Sequence, residues 1–262
     1  MDFKELMNSA AASGNTRLTF HVPEDWMQGR TTYGGLTGAM CLQTAQRLAG
    51  DRPIRSAQIA FVGPVSGDVI CQAVVLREGK NTVFVNVRMT GSDGVAADSI
   101  FAFGARRESA LDFANLSAPK VTEPEETESY FGDSPMRPAF TRHFNMRLAA
   151  GSRPISGSSE GDITLWMRHK DDALTPDAVS VLALADAPPP AALSMLSGPA
   201  RISSMTWMAE FLTDDIQTDY GWFLARHIAD TSRDGYSSQS MMLWNRLREP
   251  IMIGRQTIAV FG

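Results

Sequence analysis

Residues Thr82–Thr90 (Thr-Val-Phe-Val-Asn-Val-Arg-Met-Thr) alternate apolar and polar side chains, the period-two pattern of a half-buried strand. The β-branched run Ile54–Val62 precedes it, then Val69–Glu78, and Val95–Ala105 follows. Gly91-Ser92-Asp93-Gly94 reads as a hairpin turn, because Gly and Asp tolerate the positive φ such turns need. Short turns between consecutive strands predict antiparallel pairing. The second half repeats the order. Strands are expected at Arg201–Phe211, Trp222–Ile228, Tyr236–Trp244 and Ile251–Phe261, with turns at Arg233-Asp234-Gly235 and Arg246–Pro250. The ends of the halves are also alike: Asp98-Ser-Ile-Phe-Ala-Phe103 stands beside Gln256-Thr-Ile-Ala-Val-Phe261.

One helix is predicted ahead of each set of strands. Gly34–Ala45 carries no charge, and a helix without a polar stripe is surrounded by protein. Its glycines and alanines let a sheet approach closely. Val179–Ala200 behaves alike, with Asp186 its only charged residue and a helix expected over Asp186–Ser197. An α+β class follows, with a curved antiparallel sheet around a central helix, built twice. Between Ala114 and Pro138 the chain turns acidic, Pro-containing and poor in apolar residues, a linker composition. The expected domains are 1–112 and 140–262, joined by a linker at 113–139.

Composition narrows the classes. The 262 residues suit two small domains, and 44% apolar residues suit a real core. A net charge of -5 argues against a nucleic-acid partner. No window reaches the roughly 18 apolar residues of a membrane span, and the first residues lack a signal core, so a soluble cytoplasmic protein without a membrane partner is expected. Cys41 and Cys71 lack metal spacing and read as buried small hydrophobes. No metal is expected; His21, His143, His169 and His227 are scattered. Gly157-Ser158-Ser159-Glu160-Gly161 matches G-x-S-x-G, but a strand-like segment follows where a helix is needed.

Asp186 is the anomaly. A lone carboxylate in a neutral, buried segment is costly unless it is paired. Asp before Ala-Pro-Pro-Pro is also a good helix N-cap, and both readings stay open. Gln256 in the last strand and Ser204 at a strand start are candidate polar partners; each also reads as an ordinary strand residue. Gly34 and Gly35 open the first helix, where free N–H groups polarise a carbonyl oxygen or where backbones simply pack closely. Met195, Met205 and Met208 are core filler or a compliant wall for an acyl chain.

Taken in order, several stretches resemble the acyl-CoA thioesterase superfamily, in its double-hotdog group similar to thioesterase II. They are Gln28–Gly35, Ser56–Asp68, Arg77–Asn81, Leu184–Pro190, Ser203–Trp207, Asp234–Tyr236 and Gly254–Gln256. The resemblance implies two tandem hotdog domains. It also implies a catalytic Asp186, a hydroxyl at Ser204 (with Ser203 and Thr206 as neighbours in register) and Gln256. The first half has no acid on its helix, which implies one site per chain. Tyr33, Gly34, Gly35, Met205 and Thr206 are the expected substrate-binding residues. The expected substrate is an acyl-CoA, with coenzyme A part of that substrate and no separate cofactor. Asp186 would take a proton from water while Gln256 and Ser204 hold it, a role worth roughly 10²–10⁴-fold. Arg30, Arg55, Lys80 and Arg201 are unranked candidates for the CoA phosphates. Competing readings are a non-catalytic acyl-CoA or lipid-binding protein, a hydratase and an assembly module. Homo-oligomerisation is left open.

Overall fold

A computed structural model of the chain describes residues 1–132 and 137–261. The N-terminal half begins with α1 (Phe3–Asn8), β1 (Ala11–Ser13) and β2 (Arg17–Val22). A two-stranded ladder follows, β3 (Met27–Gln28) with β4 (Thr31–Thr32). Then come α2 (Gly34–Gln46), β5 (Ile54–Phe61), β6 (Gly67–Glu78), β7 (Thr82–Gly91) and β8 (Gly94–Gly104). The C-terminal half holds β9 (Phe144–Gly151), β10 (Asp162–His169), α3 (Ala178–Ala185), β11 (Arg201–Phe211), β12 (Phe223–Arg233), β13 (Tyr236–Asn245) and β14 (Pro250–Phe261). The expected strands form, with ends within a few residues except β12, which runs on to Arg233. Asp234 and Gly235, both at positive φ, close the β12–β13 hairpin as that turn type requires. The alternation did not reveal α1, β1, β2 or β9.

The main sheet is antiparallel throughout, in the order β1-β2-β6-β7-β8-β5-β11-β14-β13-β12-β10-β9. β5 and β11 join the two half-sheets, with Gln58 opposite Met208. α2 packs on β2 and β5–β8 and against α3. Its apolar face is all round, as expected: ten of its residues from Gly35 to Ala45 are buried.

The bulges prove the duplication in detail. β5 slips against β8 between Ile54 and Ser56, and β11 slips against β14 between Ser204 and Thr206. β6 slips between Val75 and Arg77, β12 between Ala229 and Thr231. β7 slips between Met89 and Thr90, β13 between Leu243 and Trp244. Matching bulge to bulge sets Ile54 on Ser204, Val85 on Gln239 and Phe101 on Gln256. The end-to-end likeness expected from Asp98 beside Gln256 is therefore three residues out of register.

Two expectations need correction. The helix expected at Asp186–Ser197 lies earlier, at Ala178–Ala185, and Asp186 is at its C-terminal end. Pro188–Pro190 cannot continue a helix, since proline lacks the N–H and disfavours helical geometry before it. The real start is a capping box: Ser180 N–H donates to Asp177 Oδ1 at 2.8 Å, and Asp177 N–H donates to Ser180 Oγ at 2.8 Å. Only a short 3₁₀ turn, Ala191–Met195, follows the prolines.

The segment read as a linker, too polar to bury a core face, is docked. The indoles of Trp244 and Trp166 donate to the Leu116 and Thr122 carbonyls, both at 2.8 Å. Ala118 and Val121 pack on the cluster of Trp166, Trp222, Leu224 and Trp244. Arg246 forks onto Glu125 at 2.9 Å. Tyr130 is buried and its N–H donates to the Met146 carbonyl of β9 at 2.9 Å. A few apolar side chains and free carbonyls suffice to fasten a polar segment. The part of the linker expectation at residues 133–136 lies outside the described residues.

Candidate active site

Three C-terminal elements and one N-terminal element converge on Asp186. α3 ends at Asp186 and points it at the start of α2. Gln256 in β14 donates its amide to Asp186 Oδ1 at 2.7 Å and to Ser204 Oγ in β11 at 3.1 Å. Gly34 and Gly35, at the start of α2, lie against the same side chain. A Cβ at Gly34 would lie 2.7 Å from Asp186 Oδ2, and one at Gly35 would lie 2.5 Å from the Ala183 carbonyl oxygen. The paired glycines are thus what lets α2 and α3 meet with an acid between them.

Burial dominates the electrostatics. It pushes the Asp186 carboxyl up to about 7, while the Gln256 amide and Gly35 N–H pull the other way. The positive end of α2 favours the carboxylate, and the C-terminal end of α3 opposes it. The Tyr33 phenol is driven well above its ordinary value, first by burial and then by the Asp186 charge.

Asp186, Ser204 and Gln256 open together into a cavity of about 870 Å³. Pro188, Pro189, Pro190 and Leu193 form one apolar wall. Tyr130, Phe131 and Phe140 form another, and Arg137 and Arg153 also line it. Its size is within the range of small-molecule pockets. Among the described residues, no group of three or more His, Cys, Asp or Glu is placed to hold a metal ion.

Comparison with known proteins settles the lineage. Residues 22–104 match the model of the acyl-CoA thioesterase N-terminal domain, and residues 117–260 match that of the C-terminal domain. The chain belongs to the acyl-CoA thioesterase family. A search of curated proteins returns no match. Among solved structures, a hot dog-fold protein of unknown function from Alicyclobacillus acidocaldarius is similar at a TM-score of 0.88 and 20% identity, over 98% of this chain and 97% of that one. The tesB protein of Mycobacterium avium subsp. paratuberculosis gives 0.81 and 17%, over 100% of both chains. The acyl-CoA thioesterase II TesB2 of Mycobacterium marinum gives 0.77 and 13%, over 98% of both. At such identities these neighbours speak to the fold, which is the tandem hotdog.

Within this acyl-CoA thioesterase fold, not every expected residue reaches the cavity. Ser204, rather than Ser203 or Thr206, meets Gln256. Met205 and Thr206 are a correction: the bulge after Ser204 turns both outward, Met205 is 40% exposed, and Thr206 lines a groove on the outer sheet face. Tyr33 is buried one layer behind the wall, stacked on Phe140 at 4.1 Å, with its hydroxyl donating to the Ala183 carbonyl. Gly34 and Gly35 flank the carboxylate rather than the cavity. Asp186 is not a helix N-cap, since it follows α3. Arg30, Arg55, Lys80 and Arg201 are not among the lining residues, and Arg55 instead faces Asp214 at 3.6 Å. Ser159 is exposed in a loop with β10 after it.

The candidate site also contains groups the sequence reading missed. Gln239 of β13 is buried, donates to Gln256 Oε1 at 2.8 Å and accepts the Ala191 N–H at 2.9 Å. Its signal was available: a Gln at an inward position of a strand that pairs with β14. Arg137 and Arg153 had no such signal. Their place follows from the docking of the linker, with Arg153 stacked over Tyr130 and Arg137 over Phe131.

Among the described residues, no helix is long and apolar enough to cross a membrane.

Proposed function

We propose that this protein hydrolyses an acyl-CoA thioester to the free acid and CoA, with Asp186 as the general base. The observation that carries this is the Asp186 carboxylate, held by Gln256 at 2.7 Å at the head of a largely apolar cavity of about 870 Å³. A base poised near neutrality is well matched to removing a proton from water. The cavity accepts the acyl chain. Water placed between Asp186, Ser204 and Gln256 attacks the thioester carbonyl carbon and gives its proton to Asp186. The tetrahedral intermediate then collapses, the C–S bond breaks, and the CoA sulfur receives the proton from Asp186. Sulfur donates poorly into the carbonyl, so a thioester needs only modest activation of water.

Short, medium, long and aromatic acyl-CoAs, each incubated with the protein and a thiol reagent, provide the test. Release of free CoA that disappears in Asp186→Asn is the expected result. Binding without CoA release would make this a carrier on the same fold, and equal turnover by a folded Asp186→Asn protein would remove Asp186 from the chemistry.

A further inference from the structure

We propose that Gln239 is a positioning residue for this site: anchored by the Ala191 N–H, it holds the Gln256 amide with its nitrogen toward Asp186. The argument is one of hydrogen-bond direction. A backbone N–H only donates, so the atom of Gln239 that faces Ala191 at 2.9 Å is its oxygen. Its nitrogen therefore faces Gln256 at 2.8 Å, and the atom received there is the Gln256 oxygen. The Gln256 nitrogen is left for Asp186 and Ser204. One main-chain donor thus fixes two amides in series, and Gln239 is buried and not among the residues lining the cavity.

The consequence is protonic. A Gln256 amide free to flip would turn its oxygen to Asp186 and accept a hydrogen bond from the protonated acid. That arrangement favours the neutral acid and disarms the base. With Gln239 in place, the flip would set two NH₂ groups against each other. Other groups facing Asp186 do not supply this control. Tyr33, on the α2 side, is neutral because burial raises its pKa far above its ordinary value. His227 of β12, against the Ala185 carbonyl, is pushed down to about 4 by burial and is neutral. Glu128 of the docked linker lies across the cavity, 3.5 Å from Arg153. Arg137 and Arg153 line the same cavity.

The kinetic part of the test rests on the thioester-hydrolysis reading; the titration part does not. Carboxyl ¹³C NMR of Asp186 in the wild type, Gln239→Leu and Gln239→Met should show its midpoint rising by roughly one pH unit in the variants. The pH profile of kcat should move by the same amount, with kcat recovering at high pH and KM little changed. In a Gln256→Leu background, Gln239→Met should add nothing, because it acts only through Gln256. A uniform loss at every pH with an unmoved midpoint would make Gln239 merely structural and overturn the proposal. So would a wild-type Gln256 side-chain ¹⁵N signal showing its amide reversing as Asp186 is protonated, a measurement that needs no variant. If the wild type turns over no acyl-CoA, the functional reading falls while the Asp186 titration still decides the role of Gln239.

Discussion

The two halves share strand order, central helix and three matched bulges, yet only one holds polar groups where chemistry is possible. Where the C-terminal half has Ser204, Gln239 and Gln256, the N-terminal half has Ile54, Val85 and Phe101, all buried. The inward positions are the same. In one half they are filled by apolar side chains packed into the core, and in the other by a hydrogen-bonded chain of amides ending on a carboxylate. The difference teaches that the fold supplies a place for a site, and that a few inward residues decide whether it is core or catalyst. A second asymmetry is the docked segment, which supplies a wall of the cavity beside the C-terminal half.

The largest expected effect comes from taking the acid out of the polar half. Asp186→Asn should lower kcat by about 10²–10⁴-fold, read as CoA release. Its stability effect has the opposite sign. The folded pKa of about 7 lies above the unfolded value, so the wild type is favoured below pH about 4 and loses that advantage as pH rises through 7. Asn carries no such penalty. Thermal unfolding at pH 8 should therefore find Asp186→Asn more stable by about 2–4 kcal/mol, with the gap shrinking toward pH 4. In the wild type, kcat/KM should rise with pH to a plateau, with its midpoint near 7.

The converse change imports polarity into the apolar half. Phe101→Gln would place an amide opposite Val85, where it has no partner. Denaturant unfolding should show a loss of about 3 kcal/mol or more, with no second site gained and CoA release intact at temperatures where the variant is folded. Gly35→Ala strikes the seam between the halves. Its Cβ would sit 2.5 Å from the Ala183 oxygen, so α2 must withdraw from Asp186. About 1–3 kcal/mol of stability should go, and with it much of the turnover, as carboxylate and water shift. The smallest effect belongs to Arg246→Ala on the docked segment. That ion pair has an exposed Glu125, and its loss should move the melting curve less than any of the changes above.

Much of the fold was legible because sheets with one wet face alternate. Arg201–Phe211 was read to the residue, and the Gly91–Gly94 turn lies where Gly and Asp marked it. Asp186 was legible through its cost, as a charge with no charged neighbours in sequence. Its setting was not, because an Asp before prolines mimics a helix start, whereas the Asp177–Ser180 box holds the real one. Met205 and Thr206 were misplaced because a single bulge reverses which residues face inward, and no periodicity reports a bulge. The cavity walls were invisible for a different reason. Tyr130, Phe131 and Arg137 reach the cavity only through long-range docking of a segment whose composition argues against packing, and Arg153 enters it from the connection between β9 and β10.

Gly35 and Asp186 belong to opposite halves of the chain, and that has a practical meaning. A message cut between Gly104 and Leu116 would yield two fragments, each with one raw strand edge, β5 or β11, and each missing a component of the same centre. Neither is expected to work by itself. Mixed together they can restore one another by zipping β5 to β11, so recovered turnover on mixing becomes a reporter for fragment assembly.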